Sequence, residues 1–453
     1  MTTELKPAAA PDRHALPSRP RSIRPGVRLL VRGRSVKLRG LRTAPTGMVR
    51  WLAILGPGVI AAVAGDDAGG IGTNSAVGAR YGYDILWLLV LITIPLAIVQ
   101  EMAARSGAAT GRGLLDLVRE RFGIGWAMLA IAVIVVANAG VVVTEFAGVA
   151  AAAELLRVSR YIAVPVAAGL VWLLVLFGTY ARAERLFLVM TLVFLAYPAA
   201  AVLAHPNWGE IIHGATLPNV SGDPEYLLLL VAMIGTIVTP YQQLFQQSAV
   251  VERGVAVRHY GDERLDAYVG AVLANLIWAF VIIATAATLH AAGVIYISGA
   301  ADAAQALRPI AGPAADGLFA VGLIGASLLA AGVVPVATAY SVSEAFGFRK
   351  GVGLDFRRAP VFYGLFTALV AGGALASLIP NVPLIPLLVF VQMLNGLLLP
   401  VVLAFLLLVA SDRRLMGSLR NNGLQAAIGW AMLIAVGVAD AALLVSPIVS
   451  AQR

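Results

Sequence analysis

The chain has 453 residues, of which 60% are hydrophobic and only 13% charged, and it carries no cysteine. Soluble domains hold about 25% charged residues, so this composition belongs to an integral membrane protein; the missing cysteines exclude disulfides, thiolate metal sites and cysteine nucleophiles. The net charge of +9 comes from one end: residues 1–50 hold 12 Lys and Arg against 2 Asp and Glu, whereas the rest hold 21 against 22.

Residues 1–50 read as a basic, disordered cytoplasmic tail. Polybasic segments beside membrane spans meet anionic lipid headgroups, so lipid rather than nucleic acid is the expected partner. No short apolar stretch of a secretory signal comes first. A membrane helix needs about 20 apolar residues. Eleven segments meet this, near 51–80, 84–104, 124–152, 160–179, 186–204, 225–248, 266–293, 316–345, 360–380, 383–411 and 424–446. Alternating strands of barrel type are absent from the pattern. The expected fold class is an all-α membrane protein of about 11 spans, its transmembrane domain covering 51–446, with 447–453 as a short extracytoplasmic end.

Two spans are interrupted. The first contains GDDAGG at 65–70, which sets Asp66 and Asp67 at bilayer depth among Gly65, Gly69 and Gly70; the sixth is broken by Pro240 within TIVTPYQQ. Charges at that depth are costly and mark functional sites. Unwound carbonyls and a carboxylate at a broken helix coordinate cations in many transporters.

Loop arginines and lysines set the orientation. With the N-terminus inside, the inner loops hold 16 Lys and Arg and the outer loops and end hold 5, which predicts N-in, C-out and an odd number of spans. The interrupted spans lie five apart, so 51–204 and 225–411 read as repeats of opposite topology, with 424–446 as an extra helix. Breaks at matching positions of inverted halves point to a transport site.

Asp67 is the first candidate ligand; the competing reading is a carboxylate that caps the second half of the broken helix. Asp66 points about 100° away on a helix and is expected in the vestibule or behind the ligands. Thr236 and Thr239, in GTIVTP, offer hydroxyls and freed carbonyls beside the sixth-span break. Tyr241, Gln242, Gln246 and Gln247 continue a polar face, either a wet path or a packing surface. Glu145, in VVVTEFAG, is expected to line the vestibule, the alternative being a pairing with a buried Arg or backbone group. Asp440 and His290 read as groups near the outer membrane surface, and the sequon Asn219-Val220-Ser221 is assigned nothing. The candidate ligands are all oxygen, which suits hard cations such as Mg²⁺ that keep several waters. No nucleophile–base set and no cofactor motif such as GxxxxGK[ST] is present, so no enzyme and no cofactor is expected.

Several motifs together resemble the NRAMP divalent-metal transporters: GPG at 56–58 with Asp67 eleven positions on, Thr73-Asn74, GARYGYDILW, ATGRGLLDL at 109–117, TEFAG at 144–148, YARAER at 180–185, IGTIVTP, and YSVSEAFGF at 340–348. The resemblance implies a LeuT-like fold of two inverted five-helix repeats with metal between broken spans one and six. The family's Asp-Pro-Gly-Asn motif reads Asp67-Ala68-Gly69-Gly70 here, so Gly70 stands at the asparagine. Its sixth-span methionine is Thr239, the alanine before it Thr236, the histidine after the proline Tyr241, the third-span aspartate Val142, and the tenth-span glutamine falls at Leu398. Losing asparagine and methionine is expected to widen the site and remove the preference for softer ions. Losing aspartate and histidine removes proton acceptors. The pattern looks like the NRAMP-related magnesium transporters, which implies import of hydrated Mg²⁺, also Mn²⁺, without proton coupling, with Asp67, Thr236, Thr239 and Glu145 at the site. The expected setting is the cell inner (plasma) membrane, with a monomeric transport unit. A proton-coupled Mn²⁺/Fe²⁺ transporter is the alternative, and a non-transporting metal sensor is weaker because no large soluble output domain is present.

Overall fold

Asp67 starts the first described membrane helix. The computed structural model describes residues 28–31, 34–37, 67–177, 192–252, 254–255, 257, 260–297, 299–351 and 356–450. Gly65, Asp66, the first half of span one and the YARAER motif therefore lie outside the described residues.

Within the first fifty residues, β1 (Arg28–Val31) pairs antiparallel with β2 (Arg34–Lys37), Arg28 opposite Lys37 and Val31 opposite Arg34. A tail without structure was expected there; RLLV and RSVK carry the β-branched and aliphatic residues that favour pairing. This hairpin is a unit apart from the membrane body.

The membrane body is all helix among the described residues. Its main elements are α1 (Ala68–Tyr81), α2 (Leu86–Thr110), α3 (Leu114–Phe122), α4 (Ile124–Leu155), α5 (Arg160–Leu176), α6 (Ala196–Leu203) and α7 (Trp208–Thr216). They continue with α8 (Pro224–Ile237), α9 (Pro240–Glu252), α10 (Tyr260–Thr285), α11 (Ala315–Phe346), α12 (Pro360–Ser377), α13 (Leu384–Ser411) and α14 (Gly423–Ser450). Eight described segments are long and apolar enough to span a bilayer, two shorter apolar helices cover 160–176 and 193–203, and α1 is the second half of span one. Together they match the eleven predicted segments.

Span six breaks as expected. α8 ends at Ile237 and α9 starts at Pro240. Proline has no N–H, so the Thr236 carbonyl loses its partner four residues on, and Val238 and Thr239 leave the helix. The half-helices sit in a frame of paired spans: α4 packs along α11 and α2 along α10, the third span with the eighth and the second with the seventh. Small residues make these approaches close. A Cβ on Gly148 of α4 would strike Ser327 of α11 and Ala68 of α1; one on Gly235 of α8 would strike the α13 backbone at Gln392 and Gly396.

Polar contacts tie the two ends of the bundle. At one end Arg80 donates to Glu225 at 2.9 Å and Tyr81 to Asp223 at 3.0 Å, joining the last turn of α1 to the start of α8. At the other, buried Arg105 lies 3.3 Å from Glu101 and donates to Asn421 at 2.5 Å and the Leu419 carbonyl at 2.9 Å. There too Arg121 donates to Asp412, and that hydrogen bond holds the Asp412 carboxyl below the usual carboxylate range.

Candidate metal site

Asp67 is only 1% exposed and occupies the N-cap of α1, with extended backbone. Glycines at 69 and 70 suit a chain that starts a helix here, since Gly70 presents its N–H to the carboxylate with no Cβ in the way. Oδ1 accepts from the Gly70 N–H at 2.6 Å and from Gln392 Nε2 at 3.1 Å. Oδ2 has no hydrogen-bond partner among the described residues. One oxygen therefore caps the helix, as the competing reading has it, while the other is left without a hydrogen-bond partner.

Glu145 approaches the same point from α4. Its Oε2 lies 3.4 Å from the Ala68 N–H and its Oε1 3.4 Å from the Thr144 hydroxyl. That hydroxyl also donates to the Val141 carbonyl at 2.7 Å, the shorter contact. Glu145 is fully buried, not lining an open vestibule as expected; its partner is backbone, the alternative weighed for it. Neither Asp67 nor Glu145 makes an ion pair among the described residues. Two buried carboxylates without a counter-charge are costly to hold ionised, and a cation between them offsets that cost.

Span six supplies neutral oxygens. Thr236 and Thr239 are each 1% exposed, and neither hydroxyl has a hydrogen-bond partner among the described residues. The Thr236 methyl would lie 3.0 Å from a Cβ on Gly70, so spans one and six meet at these two residues. Tyr241 is buried and Gln242 half-buried at the start of α9. Further along α9, Gln243 and Gln247 are buried, and Gln247 donates to the Arg112 carbonyl at 2.9 Å. Of the polar face, Gln247 is therefore a packing contact, while Gln242 and Gln246 are half-buried.

Span ten corrects the sequence reading. Leu398 was expected to leave that span without a glutamine at the site, yet Gln392 of α13 reaches Asp67. Asn395 donates to the Gln392 Oε1 at 2.7 Å, which orients the amide so that its NH₂ faces the carboxylate. The available signal was an amide within the apolar run LLVFVQMLNG, and polar groups inside spans are functional candidates.

One further expectation changes. Removing a side chain at Gly70 does not simply widen the site: the Trp278 ring of α10 stands where that side chain would go. Asp440 of α14, read as near the outer membrane surface, is 7% exposed, and neither of its oxygens has a hydrogen-bond partner among the described residues. His290 is exposed, contacts the Ala79 carbonyl at 2.9 Å and lines a cavity of about 410 Å³ with Arg80, Tyr83, Asp84, Glu210 and His213 at the α1 end. Asp66 lies outside the described residues. No cluster of three His, Asp or Glu side chains that could hold a metal occurs among the described residues. A cation at Asp67 would rely on few charges and several neutral oxygens, which suits an ion that keeps its own waters.

Comparison with known proteins fits this architecture. The profile of the family described as "Natural resistance-associated macrophage protein-like" matches residues 58–446. The divalent metal cation transporter MntH of Deinococcus radiodurans is 30% identical over 414 residues, covering 88% of this chain and 91% of its own. Among solved structures, the Eremococcus coleocola manganese transporter in complex with an aromatic bis-isothiourea substituted compound aligns with a TM-score of 0.69 at 20% identity, over 90% of this chain and 94% of that one. The nucleobase-cation-symport transporter Mhp1, in a closed conformation, aligns with a TM-score of 0.54 at 16% identity, over 86% and 91% of the two chains. The relatives are named as transporters, not enzymes. The chain has the LeuT-like fold and belongs to the natural resistance-associated macrophage protein-like (NRAMP) family.

Proposed function

We propose that this NRAMP-family chain imports divalent metal cations, principally hydrated Mg²⁺ and also Mn²⁺, by alternating access without proton coupling. One observation carries the reading: a buried Asp67 oxygen, a Thr236 hydroxyl and a Thr239 hydroxyl without hydrogen-bond partners among the described residues, in a site with no soft ligand. Asp67 supplies the charge, while Thr236, Thr239 and the freed Thr236 carbonyl hold waters of the ion. Glu145 adds a second negative charge behind Ala68.

Two positions at which the resemblance expects proton acceptors are apolar or phenolic here. Val142 is fully buried and packs against Gly373 of α12, so this position offers no proton acceptor. Tyr241 stands in place of histidine. The excess of Lys and Arg in alternate loops supports an N-in, C-out chain in the plasma membrane, with the basic N-terminal tail meeting anionic lipid. The Arg80–Glu225 and Tyr81–Asp223 contacts then close the outer side.

Growth of a bacterium lacking its own Mg²⁺ uptake tests the reading. Expression of the wild-type chain restores growth at low Mg²⁺, and Asp67→Ala expressed to the same level does not. Equal rescue by Asp67→Ala, or no rescue by either, contradicts it.

A further inference from the structure

Gly70 is held against an aromatic edge. A Cβ built there would lie 2.6 Å from Trp278 Cη2, 2.7 Å from Trp278 Cζ2 and 3.0 Å from the Thr236 methyl. Carbon atoms in contact sit about 3.5–4.0 Å apart. The indole would have to retreat by about 1 Å to admit even a methyl group, and an asparagine adds a carbon, an oxygen and a nitrogen beyond it. Retreat is blocked. Trp278 is 2% exposed. One turn further along α10, the Ile282 carbonyl would lie 2.6 Å from a Cβ on Gly78, so α10 is already seated on the α1 backbone. Sliding the helix away would open that second contact as well.

Gly70 and Trp278 are thus a complementary pair, a missing side chain on α1 and a large one on α10. The atoms facing Gly70 are ring carbons, which offer no lone pair to a cation. We infer that Trp278 is a specificity-determining residue of the ion site: its indole closes the slot from which a side chain at position 70 would reach the metal, leaving the ion its own water on that side. The inference rests on metal transport at Asp67, and it makes the identity of residue 70 subordinate to that of residue 278. Changing Gly70 alone cannot install an amide ligand.

A four-member cycle tests this with purified, reconstituted protein: wild type, Gly70→Asn, Trp278→Ala, and the double variant. Thermal melting comes first, because it reads packing without any ion. Gly70→Asn lowers the melting temperature sharply, and adding Trp278→Ala recovers at least half of that loss although it removes a buried ring. Gly70→Ala with Trp278→Phe reads the same coupling with smaller changes, should the larger cavity unfold the chain. Uptake of Mg²⁺ and of Mn²⁺ into vesicles comes second. The Mn²⁺ to Mg²⁺ uptake ratio rises about tenfold in the double variant, because an amide oxygen replaces a water that Mg²⁺ gives up reluctantly, and Gly70→Asn alone transports neither ion.

Strictly additive melting shifts overturn the inference, as does a single Gly70→Asn variant that folds and matches the ion ratio of the double. A double variant that keeps the wild-type ratio overturns the specificity role. Wild-type vesicles that take up Mn²⁺ but no Mg²⁺ would instead remove the magnesium reading, and the melting cycle would still decide the Trp278 inference.

Discussion

Asp67 gives one oxygen to the fold and leaves the other without a hydrogen-bond partner among the described residues. Oδ1 receives the Gly70 N–H and the Gln392 amide, which fixes the carboxylate, while Oδ2 meets no donor among the described residues. Glu145 extends the negative charge and caps the same turn. Glu145→Gln keeps an oxygen for the Ala68 N–H but loses the charge, so the chain should fold normally while its Kd for Mg²⁺ rises about tenfold, equivalent to about 1.4 kcal/mol. Calorimetric titration checks this; an unchanged affinity would remove Glu145 from the site's electrostatics. Thr239→Met would place a soft thioether beside the break. Soft ligands favour later metals, so Cd²⁺ should bind more tightly and Mg²⁺ uptake should fall, read by Cd²⁺ titration and Mg²⁺ flux. Unaltered Cd²⁺ affinity would show that Thr239 does not face the ion. Asp67, Glu145 and the two threonines stood out in the sequence because each interrupts an apolar run, and the structure buries all four. Gln392 carried the same signal, but a resemblance that placed the tenth-span glutamine at Leu398 drew attention away from it. Trp278 carries no signal at all, since an apolar residue in an apolar span looks like any other.

Helix breaks and close helix approaches set where these residues go. Pro240 announces the break in span six, and the chain leaves the helix two residues before it, at Val238 and Thr239. Gly235 shows the other device. A Cβ there would meet the Gln392 carbonyl and the Gly396 nitrogen, both backbone atoms of α13 that cannot rotate aside. Gly235→Ala should therefore cost about 1–3 kcal/mol, the range for overpacking, and should displace Gln392 from Asp67. Gly372→Ala is the control, because nothing lies within 4 Å of a Cβ at that exposed position. Melting temperatures of the two variants check the contrast, and equal stability would contradict it. Span boundaries were readable from hydropathy alone. The pairing of Gly235 with Gly396, or of Gly70 with Trp278, was not, because small residues in a membrane helix do not say which neighbour they admit. The β1–β2 hairpin lay in a segment whose charge and prolines masked two short runs of strand-forming residues.

The membrane body is a frame of paired long helices around the described half of span one, α1, and the broken span six, α8 and α9; the two spans meet at Gly70 and Thr236. The five-span offset of the two breaks was legible in the sequence, and the LeuT-like fold and family membership agree with it. Ion choice depends on a few side chains and is the central claim. An inside-negative potential favours entry of a dication by about 4.6 kcal/mol per 100 mV, at about 2.3 kcal/mol per charge, so uptake needs no proton. The decisive measurement is Mg²⁺ influx into proteoliposomes carrying the purified chain, with internal pH recorded together and Asp67→Ala as control. Saturable influx that grows with an inside-negative potential, leaves internal pH unchanged and vanishes in Asp67→Ala is the expected result. Vesicles that admit Mn²⁺ with acidification and take up no Mg²⁺ would contradict it.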